Sequence, residues 1–584
     1  MFTRILERVD FLRKLIINSF FLIFIIAIII GLFIFPFINN NKGDIKGSIL
    51  SLSTKDISDR SSSYFDSEEN LTVYEIVSAF EYASYDDDVE IVFLDLSYIS
   101  ISSASAFEVG KSIQLLRKNG KKVIAYGDFL TQSQYLLASY ADEVILNPFG
   151  MVFLEGFKKY QIYLKDFLDN NNIVVNTFVA GDYKSATEIF SESKMSEQDR
   201  QQSKIFLNDL WKNWLKEVAN NRLSLDVDIN FFINNFNELD PSLSAAEKAK
   251  KYGLVDKILT RIELRKYFYE LENNDENNIV KEPRTVSLKS YYDGKKESNF
   301  SKDKIVVLNA YGEIIDGSFQ DNQISSEFFS KKLNEISKDP SVKGLLLRIN
   351  SPGGSGFASE VIRQELLNLK NSGVPIVVSI SDIAASGGYW ISANADEIWA
   401  TPLSVTGSIG VFALLPSIEN ALSKFGFNYD GLSTTDFNPS IVANPSENLK
   451  SFIQNYVDRA YSDFINLVSE GRDLNIDSVN EISNGKIWTG TQALENGLID
   501  KIGTQSEAIE RLKEIIGYEE INVEYLNFNQ SFFDFLGNNF LNFQTLNKFF
   551  KNDLNIQNYI FNDFNLLEKE IINLRFDCLN CSIK

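Results

Sequence analysis

Histidine is absent from this chain of 584 residues, and only two residues are cysteine. Without histidine, the chain alone cannot supply a Ser-His-Asp or Cys-His mechanism or an imidazole-ligated metal site. Cys578 and Cys581 both fall in the last seven residues, which excludes a disulfide-stapled core and a Cys-rich zinc module. We therefore expect no metal and no cofactor, and any chemistry must use Ser, Thr, Lys, Tyr or carboxylate side chains.

Basic residues are scarce relative to acidic ones. The 57 Lys and Arg against 79 Asp and Glu give a net charge of −22. Because clustered Lys and Arg bind the phosphate backbone of nucleic acids, this balance argues against a nucleic-acid partner. At roughly 150 residues per domain, the length corresponds to about four units with ample core.

One long apolar run lies near the N-terminus, at residues 15–37, and it holds no charge. It is long enough to cross a hydrocarbon core of about 30 Å. Four basic residues precede it, so the positive-inside rule places residues 1–14 in the cytoplasm and everything after Asn39 outside. A cleaved signal peptide is the alternative, but its apolar run would span only about 7–15 residues and small residues would follow it. We predict that residues 15–37 form a retained single-pass transmembrane helix in contact with membrane lipid.

The remainder contains an internal repeat. YLLASYADEVILNP at 135–148 recurs as YWISANADEIWATP at 389–402, an offset of 254 residues. Each copy alternates short β-branched runs with longer amphipathic stretches, which predicts an α/β fold with a mostly parallel sheet covered by helices. In the second copy we expect strands at 304–309, 344–349, 375–379 and 397–400 and helices at 325–337 and 358–370. The predicted boundaries are a first repeat at 45–270, a polar linker at 271–300, a second repeat at 301–518 and an Asn- and Phe-rich tail at 519–584.

The copies differ first at a glycine pair. NSPGGSG at 350–356 follows a predicted strand, whereas the first copy has Ile99 and Ser100 in place of Gly353 and Gly354. Paired glycines before a helix free backbone N–H groups that can receive an anion or an oxyanion. A tight turn without a ligand is the alternative.

A serine also distinguishes the copies. Ser386 lies in AASGG at a predicted strand-to-helix junction, and the first copy has Gln132 there. A serine at such a junction, between small residues, can expose its hydroxyl beside backbone N–H groups, as in a nucleophile elbow, although the motif is not G-x-S-x-G. An ordinary helix N-cap is the alternative.

A lysine is present only in the first copy. Lys184 lies in GDYKSATEIF at 181–190, and Asn438 matches it in the second copy. A lysine acts as a base only if its pKa falls from about 10.4 towards 7–8, which burial must enforce at about 3–4 kcal/mol. An exposed, salt-bridged lysine is the alternative. One copy thus carries a candidate nucleophile and the other a candidate base.

Four motifs together resemble one family. AASGGYWISANADEI at 384–398, TGSIGV at 406–411, RINSPGG at 348–354 and GDYKSATEIF are similar to the long, duplicated form of signal peptide peptidase A, also called protease IV. The resemblance covers nearly the whole chain. It implies tandem units of the crotonase/Clp-protease type and membrane-anchored serine peptidases on the periplasmic side of the cytoplasmic membrane. It further implies a homotetramer that degrades signal-peptide remnants.

The resemblance also implies roles for individual residues. These are Ser386 as nucleophile, Lys184 as general base, Gly353, Gly354 and Gly387 as oxyanion-hole donors, and Ser408 as the residue that orients Lys184. The pair Cys578 and Cys581 departs from the family pattern, and a disulfide, a redox pair and an incidental CxxC all stay open for it.

Two other functions compete with a peptidase. A crotonase-like acyl-CoA enzyme would share the paired oxyanion N–H groups, but it needs cytoplasmic CoA and the predicted anchor places the body outside. A catalytically inactive, membrane-tethered scaffold predicts a broken Ser-Lys pair, whereas both Ser386 and Lys184 are present.

Overall fold

A computed structural model describes most of the chain between the predicted anchor and the tail. The described residues are 48–59, 71–272, 283–295, 302–317, 322–435, 437, 440–526 and 575–577. The predicted transmembrane segment 15–37, Asn438 and both cysteines lie outside them. None of the helices in these ranges combines the length and the apolar character needed to cross a membrane.

Each copy is built on a parallel sheet, and the two sheets have the same strand order. The first sheet runs Lys257–Ile258, Glu143–Leu146, Lys122–Gly127, Ile91–Asp95, Ile49–Leu52 and Thr285–Ser287. The second has the equivalent strands Lys501–Ile502, Glu397–Ala400, Ile376–Ala385, Val342–Ser351, Lys304–Tyr311 and Asn522–Leu526. It also carries Val405–Gly407 and Ile487–Thr489 at the end of Ile376–Ala385. The duplicated α/β architecture is therefore confirmed.

Both faces of these sheets are apolar, as expected for parallel strands that helices cover on each side. In Lys122–Gly127, Val123 and Ala125 face one buried cluster, whereas Ile124 and Tyr126 face another. Strand alternation thus divides the core into two layers. The helices of the first copy are Val73–Tyr85, Ser103–Lys118, Gln132–Ser139, Lys165–Asn170, Glu188–Ser191, Glu197–Asn221, Ile229–Asn234, Ala245–Lys251, Arg261–Glu272 and Leu288–Lys295. Those of the second are Ser326–Lys338, Gly356–Asn371, Gly387–Ser392, Glu419–Lys424, Glu447–Arg472, Ile476–Ile482, Gly490–Glu495 and Gln505–Ile516.

An ion pair repeats along with the backbone. In the first copy Arg222 donates to Asp256, whose carboxylate also accepts the Val144 N–H at 2.7 Å. In the second copy Arg472 donates to Asp500, whose carboxylate accepts the Ile398 N–H at 2.7 Å. The repeat therefore extends to individual side-chain contacts.

The edge strands come from segments outside the predicted repeats. Thr285–Ser287 lies in the expected linker and pairs with Ile49–Leu52. Asn522–Leu526 lies in the expected tail and pairs with Lys304–Tyr311. Each is a short, partly exposed strand with one paired side, so neither carries the apolar pattern of an interior strand.

A third sheet combines strands of both copies. Its order is Gln323–Ser325, Glu313–Ile315, Gly353–Ser355, Arg575–Asp577, Val411–Ser417 and Val174–Ala180. Val174–Ala180 of the first copy pairs antiparallel with Val411–Ser417 of the second over its full length. This pairing brings the turn after Ala180 to the second copy.

A buried ionic cluster also joins the copies. Arg348 of the second copy donates to Asp59 at 3.0 Å and to Glu108 at 2.6 Å, both from the first copy. Nearby, Asp382 accepts hydrogen bonds from Ser102 of the first copy and from Asn350 at 2.9 Å. Because unpaired buried charge is costly, these contacts favour a single relative placement of the copies.

Candidate active site

Two buried side chains from different copies meet at the boundary between them. The Nζ atom of Lys184 lies 2.7 Å from the Oγ atom of Ser386, although the residues are 202 positions apart in sequence. Lys184 is 4% exposed and Ser386 is fully buried. Burial disfavours the charged form of an amine, and a lysine must be uncharged to act as a base.

Ser386 lies where the strand Ile376–Ala385 ends and the helix Gly387–Ser392 begins. Its backbone has φ 55° and ψ −115°, an uncommon conformation for a residue with a side chain. It holds the N-cap position, yet its side chain makes no capping hydrogen bond. The hydroxyl therefore points towards Lys184 instead of closing its own helix, in contrast with an ordinary N-cap serine.

The small residues after Ser386 are required by close packing. A Cβ at Gly387 would lie 3.3 Å from the Gly354 nitrogen, and one at Gly388 would lie 2.8 Å from the Ser351 carbonyl oxygen. The start of the helix therefore lies directly against the glycine pair. Gly354 has φ +150°, and a Cβ there would lie 2.0 Å from the Ile314 oxygen.

The structure thus brings the three predicted oxyanion-hole glycines next to Ser386, but they are not equivalent. The Gly353 N–H donates to Ser351 Oγ at 3.2 Å. Gly387 follows Ser386 directly and faces Gly354. The amides of Gly354 and Gly387 are therefore the pair that we propose for binding an oxyanion beside Ser386.

Lys184 is held by a turn of its own copy and a loop of the other. Its N–H donates to the Gly181 carbonyl at 3.0 Å, and the Tyr183 N–H donates to the Asn484 carbonyl at 2.7 Å. A Cβ at Gly410 would lie 3.2 Å from Lys184 Cδ. The second copy thus contacts both the turn and the side chain of the candidate base, through Asn484 and Gly410.

Ser408 also contacts the lysine, as the resemblance implied. Lys184 Nζ donates to the Ser408 carbonyl at 3.0 Å and lies 3.1 Å from its Oγ. Ser408 has φ +54°, and its N–H donates to the Lys486 carbonyl at 2.7 Å. With Ser386, these contacts give the lysine amine three oxygen neighbours.

Sequence reasoning missed the carboxylate behind the lysine turn. Asp199 is buried and accepts hydrogen bonds from Lys159 at 2.6 and 2.8 Å and from Ser185 at 3.0 Å. Its charge is therefore paired with Lys159, and the bond from Ser185 ties the residue after Lys184 to the helix Glu197–Asn221. Asp199 lies 14 positions after Ser185 and outside the GDYKSATEIF motif, so the motif gives no signal for this contact.

The matching position in the first copy has a structural task. Gln132 Oε1 accepts the Gly156 N–H at 2.8 Å and the Glu155 N–H at 3.3 Å. In the first copy Gln132 thus stabilises a loop, whereas in the second copy Ser386 directs its hydroxyl at Lys184. Within the described ranges, no group of three or more Asp, Glu, Cys or His side chains is arranged to hold a metal ion.

Comparison with known proteins gives the family. Its sequence model, described as Peptidase family S49, matches residues 115–273 and 368–518. Protease 4 of Haemophilus influenzae is 34% identical over 457 residues, which are 77% of this chain and 74% of the relative. Protease 4 of Salmonella typhi is 31% identical over 542 residues, or 88% and 86%. The chloroplastic serine protease SPPA of Arabidopsis thaliana is 28% identical over 477 residues, or 80% and 68%. These matches confirm the resemblance that the four motifs indicated: the chain belongs to peptidase family S49 and carries two copies of its domain.

Proposed function

We propose that this S49 peptidase is a serine endopeptidase with a Ser-Lys dyad, in which Ser386 is the nucleophile and Lys184 the general base. The observation that carries the proposal is the 2.7 Å contact between the two buried side chains. Each residue occurs in one copy only, and the pairing of Val174–Ala180 with Val411–Ser417 brings them together. A nucleophile within hydrogen-bond reach of a base is the geometry that activation of a hydroxyl requires.

Acylation begins with a neutral lysine amine. As Ser386 Oγ attacks the peptide carbonyl carbon, its proton passes to Lys184 Nζ and the carbonyl oxygen gains negative charge. The amides of Gly354 and Gly387 donate to that oxygen. The lysine then returns the proton to the leaving nitrogen as the C–N bond breaks, which leaves an acyl-serine and a free amine.

Deacylation repeats the same steps with water. The neutral lysine takes a proton from a water molecule whose oxygen attacks the ester carbon. The tetrahedral intermediate collapses, and the proton returns to Ser386 Oγ as the acid product leaves. Ser408 accepts from the lysine amine at both stages and keeps it directed at Ser386.

The proposed substrates are extended, apolar peptides, including remnants of cleaved signal peptides. The apolar run at 15–37 supports a membrane-anchored enzyme whose body faces the periplasm. An enzyme held at the bilayer surface meets apolar peptides there. Assembly as a homotetramer is part of the same proposal, and it rests on the family resemblance.

The two competing functions are disfavoured by different observations. An inactive scaffold predicts that the serine and lysine have lost contact, whereas they lie at hydrogen-bond distance. An acyl-CoA enzyme is disfavoured by membership of a peptidase family.

Turnover of a short quenched peptide tests the proposal. Ser386→Ala and Lys184→Ala should each lose nearly all activity while keeping the wild-type melting temperature. Ser381→Ala is the matched control, since Ser381 is a buried serine of the same strand whose Oγ has no hydrogen-bond partner among the described residues. Wild-type turnover in either dyad variant would refute the assignment.

A further inference from the structure

One helix of the first copy contacts the segments that hold both candidate dyad residues. The first turn of Glu197–Asn221 lies beside the turn of Lys184, and the same helix packs against the strand Ile487–Thr489 of the second copy. Asp199 and Gln202 are buried on its first two turns. They are three positions apart in sequence and therefore share one face of the helix.

The contact with the lysine turn is made by Asp199. Its carboxylate accepts a hydrogen bond at 3.0 Å from the hydroxyl of Ser185, the residue after Lys184. Two hydrogen bonds from Lys159 hold the same carboxylate, and the Asp199 N–H donates to Ser196 at the start of the helix at 3.1 Å. A hydrogen bond to an ionised carboxylate is stronger than one between neutral groups. Asp199 is therefore a fixed point on the helix to which the turn of the candidate base is attached.

The contact with the serine side is made by Gln202. Its side-chain amide donates to the Ile487 carbonyl at 2.7 Å. Ile487 pairs with Gly407, and the Gly407 carbonyl accepts the backbone N–H of Ser386 at 2.8 Å. Ser386 has the uncommon φ and ψ described above, and such a conformation persists only where the surrounding structure holds it. The direction of the Ser386 hydroxyl consequently depends on the position of the strand that Gln202 holds.

Two more hydrogen bonds make this attachment firm. Asp209, two turns further along the helix, accepts from the Thr489 hydroxyl at the other end of the strand. The carbonyl of Lys486, just before the strand, accepts the Ser408 N–H at 2.7 Å. The strand that the helix holds therefore also fixes Ser408, which contacts the lysine amine.

We propose that Asp199 and Gln202 are positioning residues that set the separation of Lys184 and Ser386, because one helix holds the turn of the base and the strand beside the nucleophile. This inference rests on the proposed function, which assigns the reacting groups. Both residues act through a neighbouring group and not on the reacting atoms. The two contacts are arranged in series, since the helix transmits a fixed distance only while both of its attachments are made. Loss of either contact therefore releases the same constraint.

Single and double variants of the full-length protein test this arrangement. Ser185→Ala removes the hydroxyl that donates to Asp199 and leaves the ion pair with Lys159 in place. Gln202→Met keeps an unbranched side chain on the helix but cannot donate to a carbonyl. We expect each change to lower kcat for a short peptide about tenfold with little change in KM, because it displaces a reacting group without removing a substrate contact. The double variant should lose no more than the weaker single variant, whereas independent effects would multiply.

A conservative variant and two matched controls separate positioning from a general loss of packing. Ser185→Thr keeps the hydroxyl and should recover most of the kcat that Ser185→Ala loses. Ser191→Ala and Gln201→Met should match wild type, since the Ser191 hydroxyl donates to a carbonyl four residues earlier and the exposed Gln201 donates to a carboxylate four residues earlier. Wild-type kcat in Ser185→Ala or in Gln202→Met would overturn the proposal, as would a loss in the double variant equal to the product of the single losses.

A crystal structure of the double variant gives a measurement that does not depend on turnover. The distance from Lys184 Nζ to Ser386 Oγ, which is 2.7 Å in the wild-type chain, should exceed about 3.5 Å, the limit for a side-chain hydrogen bond. An unchanged distance would overturn the proposal. If wild type hydrolyses no peptide, the proposed function fails, and this distance still decides whether the helix positions the two side chains.

Discussion

Gly485 of the second copy lies against the backbone of Lys184 in the first. A Cβ at position 485 would lie 2.4 Å from the Lys184 nitrogen and 2.7 Å from its Cα. The Gly485 N–H donates to the Ile409 carbonyl at 2.7 Å, which fixes the loop beside Ser408. The position of the candidate base is thus set by a contact that only glycine permits.

Gly485→Ala should therefore displace the lysine. We expect kcat to fall about 10²-fold, since a shift of about 1 Å in a catalytic group has effects of this size. Gly120→Ala is the matched control, because Gly120 has a similar φ of +80° but no atom within 4 Å of its Cβ position. Both variants carry the same backbone strain, so equal kcat values in a peptide assay would contradict the proposed role of the contact.

The chemistry assigned to Lys184 requires a neutral amine, not a positive charge. Lys184→Arg should lower kcat/KM to the level of Lys184→Ala, because a guanidinium stays protonated and cannot accept the serine proton. Lys486→Arg should keep wild-type activity, since that side chain donates to the Glu481 carbonyl at 2.7 Å, a hydrogen bond that arginine can also make. In wild type, kcat/KM should rise with pH as the amine loses its proton. A flat profile from about pH 6 to about pH 10 would rule out a lysine base.

Ser408 is expected to position the lysine without touching substrate. Ser408→Ala removes the oxygen 3.1 Å from Nζ but leaves the Ser408 carbonyl contact. We expect kcat to fall about tenfold, an effect of about 1.4 kcal/mol, with little change in KM. Steady-state kinetics beside Ser381→Ala separate this role from a general effect of losing a buried hydroxyl. A change confined to KM would argue against positioning.

The buried ionic cluster that joins the copies should make the stability of the folded protein depend on pH. Burial, reinforced by the negative charge of Asp59, raises the pKa of Asp382 above the ordinary range of an aspartate. The folded state therefore binds this proton more tightly than the unfolded state. Its contribution to stability is present at low pH and is lost as pH rises through the raised pKa.

Asp382→Asn should remove that dependence. The melting temperature of the variant relative to wild type should rise between about pH 4 and about pH 8. Asp458→Asn, on the exposed face of the helix Glu447–Arg472, is the control for the loss of a carboxylate outside the buried cluster. A difference that is the same at every pH for Asp382→Asn would mean that the carboxyl does not titrate as described.

Much of the scaffold could be predicted from the repeat. The ungapped offset of 254 residues aligned the strands Ile91–Asp95, Lys122–Gly127 and Glu143–Leu146 with their counterparts in the second sheet, and it singled out Ser386 against Gln132. The predicted strand at 397–400 coincides with Glu397–Ala400, and the predicted helix at 358–370 lies within Gly356–Asn371. These elements are interior and strongly periodic, which is where sequence patterns are most informative.

The contacts that complete the site could not be predicted in this way. Val174–Ala180 pairs with a strand more than 230 positions away, and periodicity gives a strand's faces but not its partner. Gly485 belongs to an Asn-Gly pair, a recognisable turn signal, but nothing in that signal places it against Lys184. The edge strand Thr285–Ser287 is too short and too exposed to stand out from a linker.

The order of the two copies along the chain has a consequence for biosynthesis. The lysine is made first and the serine 202 residues later. At about 5–20 residues per second, a nascent chain carries the candidate base for about 10–40 s before the candidate nucleophile is made. A newly made chain is thus without the serine throughout that interval, and a fragment released early lacks it permanently. The division of the site between the copies therefore keeps the proposed dyad incomplete until the strands Lys304–Tyr311, Val342–Ser351 and Ile376–Ala385 of the second copy have been made.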